Sequence, residues 1–395
     1  MAQDKDLKTP NVPPLRFPGF TDEWKECTIR DIAKIEKGNG ISKDQLSEEG
    51  DECILYGELY TKYKSEIIDE VYSKTKVDST KLMRSQANDV LIPCSGETAE
   101  DIATARCVKM EGILLGGDLN IMRFDKQDGA FMSYQLNGKR KYDIARVAQG
   151  VSVVHLYPEH LKSIKVVLPE LEEQQKIVNL LSLIDERIAT QNKIIEDLKK
   201  LKSAIIDRLY SEVKGETCTY SELFTVVTER NSKRTYNKVI AASQEYGMVE
   251  RESLNLKVQF DEELINTYKI INSGDYVIHL RSFQGGFAFS KLQGICSPAY
   301  IILRPNDRVE FSYFENYFTS SKFINSLRLV TYGIRDGRSI NVEEWLSMKV
   351  TLPSKEEQKR IIRTIQSIQD KVSNEIRILT SLHSQRLFLL RELFI

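Results

Sequence analysis

The chain has few of the residues from which metal and disulfide sites are built. Its 395 residues include 4 histidines, 6 cysteines and 2 tryptophans. The cysteines are scattered and form no Cys-x-x-Cys pair, so the sequence predicts reduced thiols rather than a disulfide framework. No two of the histidines stand at helical spacing from each other, which disfavours a zinc site. We therefore expect no metal bound by this chain.

Long apolar runs and an excess of charge are also lacking. No run approaches the roughly 18 apolar residues of a membrane span, and the polar leader, residues 1–14, lacks the apolar core of a secretory signal. We expect a cytoplasmic protein without a membrane contact. The 57 acidic and 56 basic residues give a net charge of −1, which excludes a strongly basic nucleic-acid coat but leaves room for a local basic face.

The common catalytic motifs are missing as well. The sequence contains no G-x-x-x-x-G-K-[ST] phosphate loop, no G-x-G-x-x-G after a predicted strand and no G-x-S-x-G nucleophile turn. It also has no Asn-Pro-Pro-Tyr or Asp-Pro-Pro-Tyr sequence. An enzyme that acts alone is therefore disfavoured.

What the chain does have is an internal repeat. The last part of the first half aligns with the last part of the second half at a constant offset. Leu168-Pro169 aligns with Leu352-Pro353, so the offset is 352 − 168 = 184 residues. The Glu-Glu-Gln sequence that starts at Glu172 recurs from Glu356 at the same offset. A proline followed by acidic residues is typical of a helix start. Each half is therefore predicted to end in a long helix.

Both predicted helices carry one apolar stripe at heptad spacing, broken by polar residues at the same two places. The predicted seam consists of Ile177, Leu181, Ile184, Ile188, Ile195, Leu198, Ile361, Ile365, Ile368, Val372, Leu379 and Leu382. A helix of about 40 residues is roughly 60 Å long and needs a partner for such a stripe, so we expect the two helices to pack on each other. The seam leaves their relative direction open. The polar breaks, namely Gln191, Lys202, Glu375 and Arg386, either fix the helix register or face solvent at the edges of the coil.

The rest of each half is predicted to be an α+β globule. The two globular middles share a turn that feeds a buried strand, at Asn88–Ile92 and Gly274–Ile278, but otherwise diverge. The predicted organisation is a leader at 1–14, a first domain at 15–158, a first long helix at 159–213, a second domain at 214–342 and a second long helix at 343–395.

Several polar loops hold the side chains that pair with base edges and phosphates. An ordinary solvated loop is the alternative interpretation of each one. The candidate residues for DNA contact are Lys37, Asn39, Ser42, Lys43, Tyr60, Lys62, Lys64, Ser152, His155, Arg230, Asn231, Lys233, Arg234, Arg281, Gln284, Arg335 and Arg338.

The doubled Leu-Pro helix start resembles that of the specificity (S) subunit of type I restriction-modification systems. The opening Leu15-Arg16-Phe17-Pro18-Gly19-Phe20, with Trp24 after it, is similar to the start of many such subunits. The resemblance covers the chain from about residue 15. It implies two target recognition domains, each reading one half of a bipartite, asymmetric DNA sequence, and an antiparallel coiled coil that sets the spacer between the half-sites.

The resemblance also implies the partners. Two modification (methyltransferase) subunits would dock on the helices, bind S-adenosylmethionine and methylate adenine at N6. Two restriction subunits would add translocation and cleavage driven by ATP and Mg. This chain itself would bind double-stranded DNA, hold no cofactor and carry out no catalysis.

Two other interpretations remain at this point. A scaffold of two α+β modules on a coiled coil, without DNA, explains the repeat and the missing catalytic motifs equally well. An enzyme with an unfamiliar active site would instead show activity as an isolated chain.

Overall fold

The computed structural model describes residues 11–150, 153–243, 246–254, 262–279, 286–332 and 339–395. The chain divides into two compact units. Unit 1 comprises Met1–Asn192 and Ile378–Ile395, and unit 2 comprises Lys193–Arg377. Each unit therefore combines one globular domain with parts of both long helices.

Unit 1 has a globular part of short helices and strands. Its strands are β1 (Lys25–Thr28), β2 (Ala33–Lys37), β3 (Leu46–Ser47), β4 (Asp51–Ile54), β5 (Ile67–Ile68), β6 (Ser73–Thr75), β7 (Asp89–Pro93), β8 (Ser95–Gly96), β9 (Arg106–Val108), β10 (Leu114–Leu115), β11 (Leu119–Phe124), β12 (Val154–His155) and β13 (Lys165–Leu168). Its short helices are α1 (Ile29–Ile32), α2 (Glu58–Thr61), α3 (Ala99–Ile102), α4 (Gly129–Asn137), α5 (Lys141–Val147) and α6 (Pro158–Lys162). The first long helix, α7 (Leu171–Ser211), follows β13.

The central sheet of unit 1 has the strand order β2-β11-β7-β9-β5. Strand β11 is antiparallel to both β2 and β7, whereas β5 runs parallel to β9. Strand β7 is buried along its whole length, as predicted for the turn-and-strand sequence at Asn88–Ile92. Its apolar side chains join a core that also holds Trp24 and Phe131 and reaches the end of the chain at Phe394.

Unit 2 is built in a similar way. Its strands are β14 (Glu216–Thr219), β15 (Phe224–Val227), β16 (Ile240–Ser243), β17 (Gly247–Glu250), β18 (Lys269–Ile271), β19 (Tyr276–Ile278), β20 (Phe287–Phe289), β21 (Gly294–Cys296), β22 (Ile301–Pro305), β23 (Thr331–Tyr332), β24 (Ser339–Ile340) and β25 (Lys349–Leu352). Its short helices are α8 (Tyr313–Tyr317), α9 (Ser321–Ser326) and α10 (Val342–Ser347), and the second long helix is α11 (Lys355–Glu392).

The largest sheet of unit 2 has the order β15-β22-β19-β20. Strand β22 is antiparallel to β15 and β19, as β11 is to β2 and β7 in unit 1. The core beneath it is rich in aromatic rings, and Tyr220 stacks on Trp345 with ring centroids 4.3 Å apart. The repeat seen in the sequence therefore extends to the strand order of the two domains.

Within each unit the two long helices run in opposite directions. In unit 1, Asp185 of α7 contacts Arg386 of α11, and Ile177 shares the core with Leu393. In unit 2, Lys202 of α7 contacts Gln369 of α11. A later residue of one helix thus faces an earlier residue of the other, as in an antiparallel coiled coil. The α+β class and the antiparallel helix pair implied by the resemblance are confirmed.

All the predicted seam residues are buried or half-buried. Ile177, Leu181, Ile195, Ile361, Ile365, Val372 and Leu382 are buried, and Ile184, Ile188, Leu198, Ile368 and Leu379 are half-buried. Of the polar breaks, Gln191 and Glu375 are buried, so neither faces solvent. Lys202 and Arg386 are half-buried. A role for these residues in register stays a hypothesis, and the domain boundaries given above stay predictions.

The repeated Glu-Glu-Gln sequence has a structural reason. Gln174 is fully buried at the start of α7, where its Oε1 accepts from the N–H of Asp128 at 2.9 Å and its Nε2 donates to the carbonyl of Pro169. Gln358 does the same at the start of α11, with Glu310 and Pro353. Each glutamine therefore bonds the start of a long helix to the loop that follows a central strand. That strand is β11 for Gln174 and β22 for Gln358.

The predicted opening motif packs on both helix ends of unit 1. The N–H of Leu15 donates to the carbonyl of Glu392 at 2.9 Å, and the guanidinium of Arg16 forms two bonds with Glu173. Phe17 packs against the core that contains Trp24. In unit 2, Trp345 fills a core although it does not align with Trp24 in the repeat.

We predict that replacing either buried glutamine destabilises the protein. Gln174→Ala or Gln358→Ala leaves a part-buried backbone N–H, of Asp128 or Glu310, without its acceptor, which costs about 1–3 kcal/mol. Thermal unfolding should show a midpoint lower by about 2–4 °C for each kcal/mol. Gln175→Ala is the matched control because Gln175 is exposed, and an equal shift in that variant contradicts the assignment.

Candidate nucleic-acid interface

One edge of the central sheet in unit 1 gathers the ends of three strands. Lys37 at the end of β2 pairs with Asn120, and Pro93 at the end of β7 pairs with Leu119 at the start of β11. Strand β8 continues from this edge and pairs with β12, where His155 is exposed. Lys37 and His155 therefore lie around the same sheet edge.

The loop after Lys37 is held close to the strands beside it. A Cβ on Gly38 would lie 2.1 Å from the carbonyl oxygen of Gly116, so only glycine fits there. The Asn39 side chain accepts from the N–H of Met83 and donates to the carbonyl of Lys81, which pins the loop to a neighbouring segment. Asn39 thus shapes the loop while Lys37 stays exposed.

Ser42 and Lys43 close the same loop. The hydroxyl of Ser42 donates to Asp44 at 2.6 Å, and the N–H of Ser42 donates to Gln45. These bonds start a short 3-10 turn, Lys43–Gln45, whose side chains are exposed. The loop therefore presents two lysines, Lys37 and Lys43, on a locally ordered backbone.

Two other candidates of unit 1, Lys62 and Lys64, lie toward the opposite edge of the sheet. Tyr60, Lys62 and Lys64 precede β5, which is separated from β2 by three strands and thus by about 19 Å at the usual strand spacing. Lys62 forms an ion pair with Glu58 and donates to Ser73 at 2.7 Å. The structure therefore does not bring Lys62 and Lys64 together with Lys37, whereas Tyr60 is half-buried near Glu97 and Asp101, which follow β8.

Lys62 and Lys64 line a groove in unit 1 beside both long helices. The groove has a volume of about 680 Å³ and is also lined by Tyr72, Asp185 and Arg386. Its lining mixes lysines with carboxylates, so it has no single charge sign. Two of the predicted DNA contacts thus lie next to the helix pair rather than at the sheet edge.

The equivalent edge in unit 2 has a different composition. Val227 at the end of β15 pairs with Ile302, and Ile278 at the end of β19 pairs with Ile301. The loop after β15 exposes the side chains of Arg230, Lys233 and Arg234. The loop at this edge of unit 2 therefore presents two arginines and one lysine. The loop at the equivalent edge of unit 1 presents two lysines and has an unrelated sequence.

Asn231 does not share this exposure. Its side chain is 1% exposed, donates to the carbonyl of Tyr236 at 2.6 Å and accepts from the N–H of the same residue at 3.1 Å. A buried amide with both ends bonded cannot reach a base edge in this conformation. Asn231 holds the turn on which Arg234 adopts a left-handed backbone with φ of 52°.

The remaining candidates cannot be placed. Ser152, Arg281, Gln284, Arg335 and Arg338 lie outside the described residues.

A pair of buried aspartates, which the sequence analysis did not select, lies at the opposite end of these strands, one in each unit. Asp89 pairs with Arg123, and Asp275 pairs with Arg304; each aspartate is 2% exposed. Burial raises the pKa of Asp89 above 3.8, while hydrogen bonds from Gln86 and Arg123 act in the other direction. Both pairs join the start of one central strand to the end of its neighbour. The two sequences align in the repeat, but the pairing needs the strand register, which the sequence does not supply.

Metal-binding clusters and membrane-spanning helices were looked for among the described residues. Within them, no group of three or more His, Cys, Asp or Glu side chains could hold a metal ion. None of the described helices is long and apolar enough to cross a membrane.

The chain is similar to known proteins over nearly its whole length. Residues 21–200 and 212–383 each match the family described as type I restriction modification DNA specificity domain. The type I restriction enzyme MjaVIII specificity subunit of Methanocaldococcus jannaschii is 25% identical over 391 residues, which cover 91% of this chain and 88% of that protein.

Two solved structures share the fold. The S subunit of a type I restriction-modification system from M. genitalium has a TM-score of 0.57 at 16% identity, with 97% of this chain and 99% of that chain covered. A chain from the type I R-M system, solved to explain complex assembly and conformational transition, has a TM-score of 0.59 at 14% identity, with the same coverage.

Two copies of one domain type, each followed by a long helix of an antiparallel pair, define a two-domain DNA specificity protein. The chain belongs to the type I restriction-modification specificity family, and the resemblance inferred from the sequence is confirmed. The scaffold interpretation is not favoured.

His279 gives a pH-dependent test of the edge in unit 2. Burial lowers the pKa of His279 below 6.5, so the unfolded chain takes up a proton more readily than the folded one. The free energy of unfolding that the neutral His279 contributes is therefore fully present above about pH 6.5. It is lost as the pH falls toward the pKa of His279 in the folded state. We predict that the unfolding midpoint of wild-type protein falls between pH 7.5 and 5.5, and that His279→Leu shows a smaller fall. The control is His383→Gln, since His383 is exposed, and an identical pH profile for wild type and His279→Leu contradicts the prediction.

Proposed function

We propose that this chain selects the DNA target of a type I restriction-modification complex, and that each domain reads one half of a bipartite, asymmetric sequence. The observation that carries the proposal is the repeated sheet edge. At equivalent edges, β2 and β7 end and β11 starts in unit 1, and β15 and β19 end and β22 starts in unit 2. The loops at those edges differ in sequence between the units. A repeated frame with divergent loops suits a protein that reads two different half-sites.

The residues proposed for contact fall into two kinds. Lys37, Lys43, Arg230, Lys233 and Arg234 are exposed cations beside the edges and suit phosphate or guanine contacts. His155 is an exposed ring on a strand that joins the edge of unit 1. Asn39, Ser42 and Asn231 would act by holding the loops that carry those cations.

The helix pair is proposed as the ruler between the half-sites. The two helices have 41 and 38 residues, which at 1.5 Å per residue makes each roughly 60 Å long. Half-sites one helical turn apart are about 34 Å apart, a distance that such a rod can span. The spacer between half-sites would then follow from the length of the paired helices.

The partners supply the chemistry in this proposal. Two methyltransferase subunits dock on the helices, use S-adenosylmethionine and methylate adenine at N6, and two restriction subunits use ATP and Mg. This chain is the non-catalytic subunit. Its net charge of −1 limits the phosphate contacts it can make alone, so the partners also provide part of the grip on DNA.

Methylation mapping of the host genome tests the function directly. Deletion of the gene should remove N6-methyladenine from one bipartite motif and leave other motifs unchanged. In the reconstituted complex, Lys37→Ala with Lys43→Ala should weaken binding and make the salt dependence shallower by about 0.9 per lost phosphate contact. Lys165→Ala is the control, because Lys165 is exposed on β13 and pairs with Glu26. A methylation pattern that is unchanged without the gene rules out the proposal.

The ruler is tested by lengthening both helices. Seven residues inserted after Asn192 and seven after Arg377 keep the heptad pattern and add about 10.5 Å to each helix. At 3.4 Å per base pair, the spacer of the methylated motif should grow by about three base pairs, while both half-sites keep their bases. The control carries a seven-residue insertion at the exposed Glu48–Glu49 loop. An unchanged spacer in the helix variant excludes the ruler.

A further inference from the structure

A largely buried cluster of charges joins the domain of unit 1 to both long helices. Arg386 of α11 donates from Nε to Asp185 of α7 at 2.5 Å and forms a second ion pair with Glu66 of the domain. The side chains of Arg386, Asp185 and Glu66 are 19%, 14% and 8% exposed. One guanidinium thus bridges a carboxylate of the partner helix and a carboxylate of the domain.

A second bond links the same helix to the domain. The hydroxyl of Tyr134 on α4 donates to the other oxygen of Asp185 at 2.7 Å. Burial lowers the pKa of Arg386, but Glu66 and Asp185 more than reverse this, and the net pKa is raised. Burial and the nearby Asp185 raise the pKa of Tyr134. At neutral pH the cluster therefore holds a charged guanidinium and an un-ionised phenol.

The cluster is connected to a segment that carries candidate DNA contacts. Glu66 ends the segment 60–66, which includes Tyr60, Lys62 and Lys64. From the other side, buried Arg106 donates to the carbonyls of Leu59 and Tyr63. The segment 60–66 is thus fixed to the sheet by one arginine and to the helix pair by another.

Unit 2 lacks this device at the equivalent place. Adding 184 to Asp185 gives Gln369, and subtracting 184 from Arg386 gives Lys202. Lys202 donates to Gln369 at 2.5 Å, so a neutral amide replaces the carboxylate. Within the described part of unit 2, no ion pair joins Lys202 to its domain. At this pair of helix positions, an ion pair to the domain is therefore described in unit 1 and not in unit 2, where Lys355 and Lys359 near the start of α11 pair instead with Glu310 of the domain.

We propose that Arg386 is a positioning residue that fixes the first recognition domain on the helix pair and so restricts the complex to one half-site spacing. This inference rests on the proposed function, since it concerns the spacer of a bipartite target. Bonds from a planar guanidinium to two carboxylates tolerate little movement, because each one requires a set direction. Without them, the domain can shift on the helices and accept half-sites one base pair nearer or farther away.

The test compares methylation of short duplexes by the reconstituted complex with methyltransferase. The duplexes carry the native half-sites with the native spacer or with one base pair more or fewer. The variant Glu66→Gln, Asp185→Asn, Arg386→Met removes all the charges together, because removing one alone leaves the others buried and unpaired. The ratio of rates on altered and native spacers should rise by about tenfold, the size of one ordinary mismatch penalty, while half-site base preference stays unchanged.

Two further variants separate positioning from stability. Arg386→Lys keeps the charge but loses the fork, so its spacer ratio should lie between those of wild type and the triple variant. Lys202→Met in unit 2 should leave the ratio unchanged. The inference is overturned if the triple variant has the wild-type unfolding midpoint and also the wild-type ratio of rates on altered and native spacers. If the triple variant is unfolded, an Arg386→Lys variant whose ratio equals that of wild type overturns it. Absence of a bipartite motif with the wild-type complex instead shows that the proposed function fails.

Discussion

A helix of about 40 residues with one apolar stripe is not stable alone in water, because most helical stability in proteins comes from burying that stripe. Here two such helices run antiparallel and bury each other's apolar stripe, and much of the organisation of the chain follows from this pairing. Since each helix follows one domain, antiparallel pairing places the start of one helix beside the end of the other within each unit. Asp185 with Arg386 and Lys202 with Gln369 are the same pair of positions, used once in each unit. The internal repeat of the sequence therefore recurs in the structure, because equivalent positions of the two helices meet in each unit.

The sequence predicted the parts of the fold that depend on periodicity. The seam from Ile177 to Leu382 follows from heptad spacing, and the helix starts follow from the repeated Leu-Pro and Glu-Glu-Gln sequences. It could not show why Gln174 and Gln358 recur, because their partners, Asp128 and Glu310, lie in loops that only the folded chain brings near.

The candidate interface was harder to predict for a related reason. Residue type selected Lys37 and Arg230, which the structure shows as exposed cations beside a sheet edge. It selected Asn231 on the same grounds, and Asn231 is buried in its own turn. Composition does not distinguish an amide that faces solvent from one that caps a loop. Lys62 and Lys64 were grouped with the others by sequence pattern, yet the strand order places them beside the helices. Pairs such as Asp89 with Arg123 need a strand register that separate segments do not reveal.

The composition of unit 1 has a consequence for how the chain folds during synthesis. Its core includes Trp24 and Phe131 from the first domain and Leu393 and Phe394 from the far end of α11. The ribosome makes the whole of unit 2, Lys193–Arg377, between those two groups. The first domain therefore leaves the ribosome with an apolar face uncovered and waits for a distant segment. Contacts so far apart in sequence form slowly, and exposed apolar surface favours aggregation. Nascent chains of this protein would thus depend on chaperones, or on partner subunits, for longer than two separate domains would.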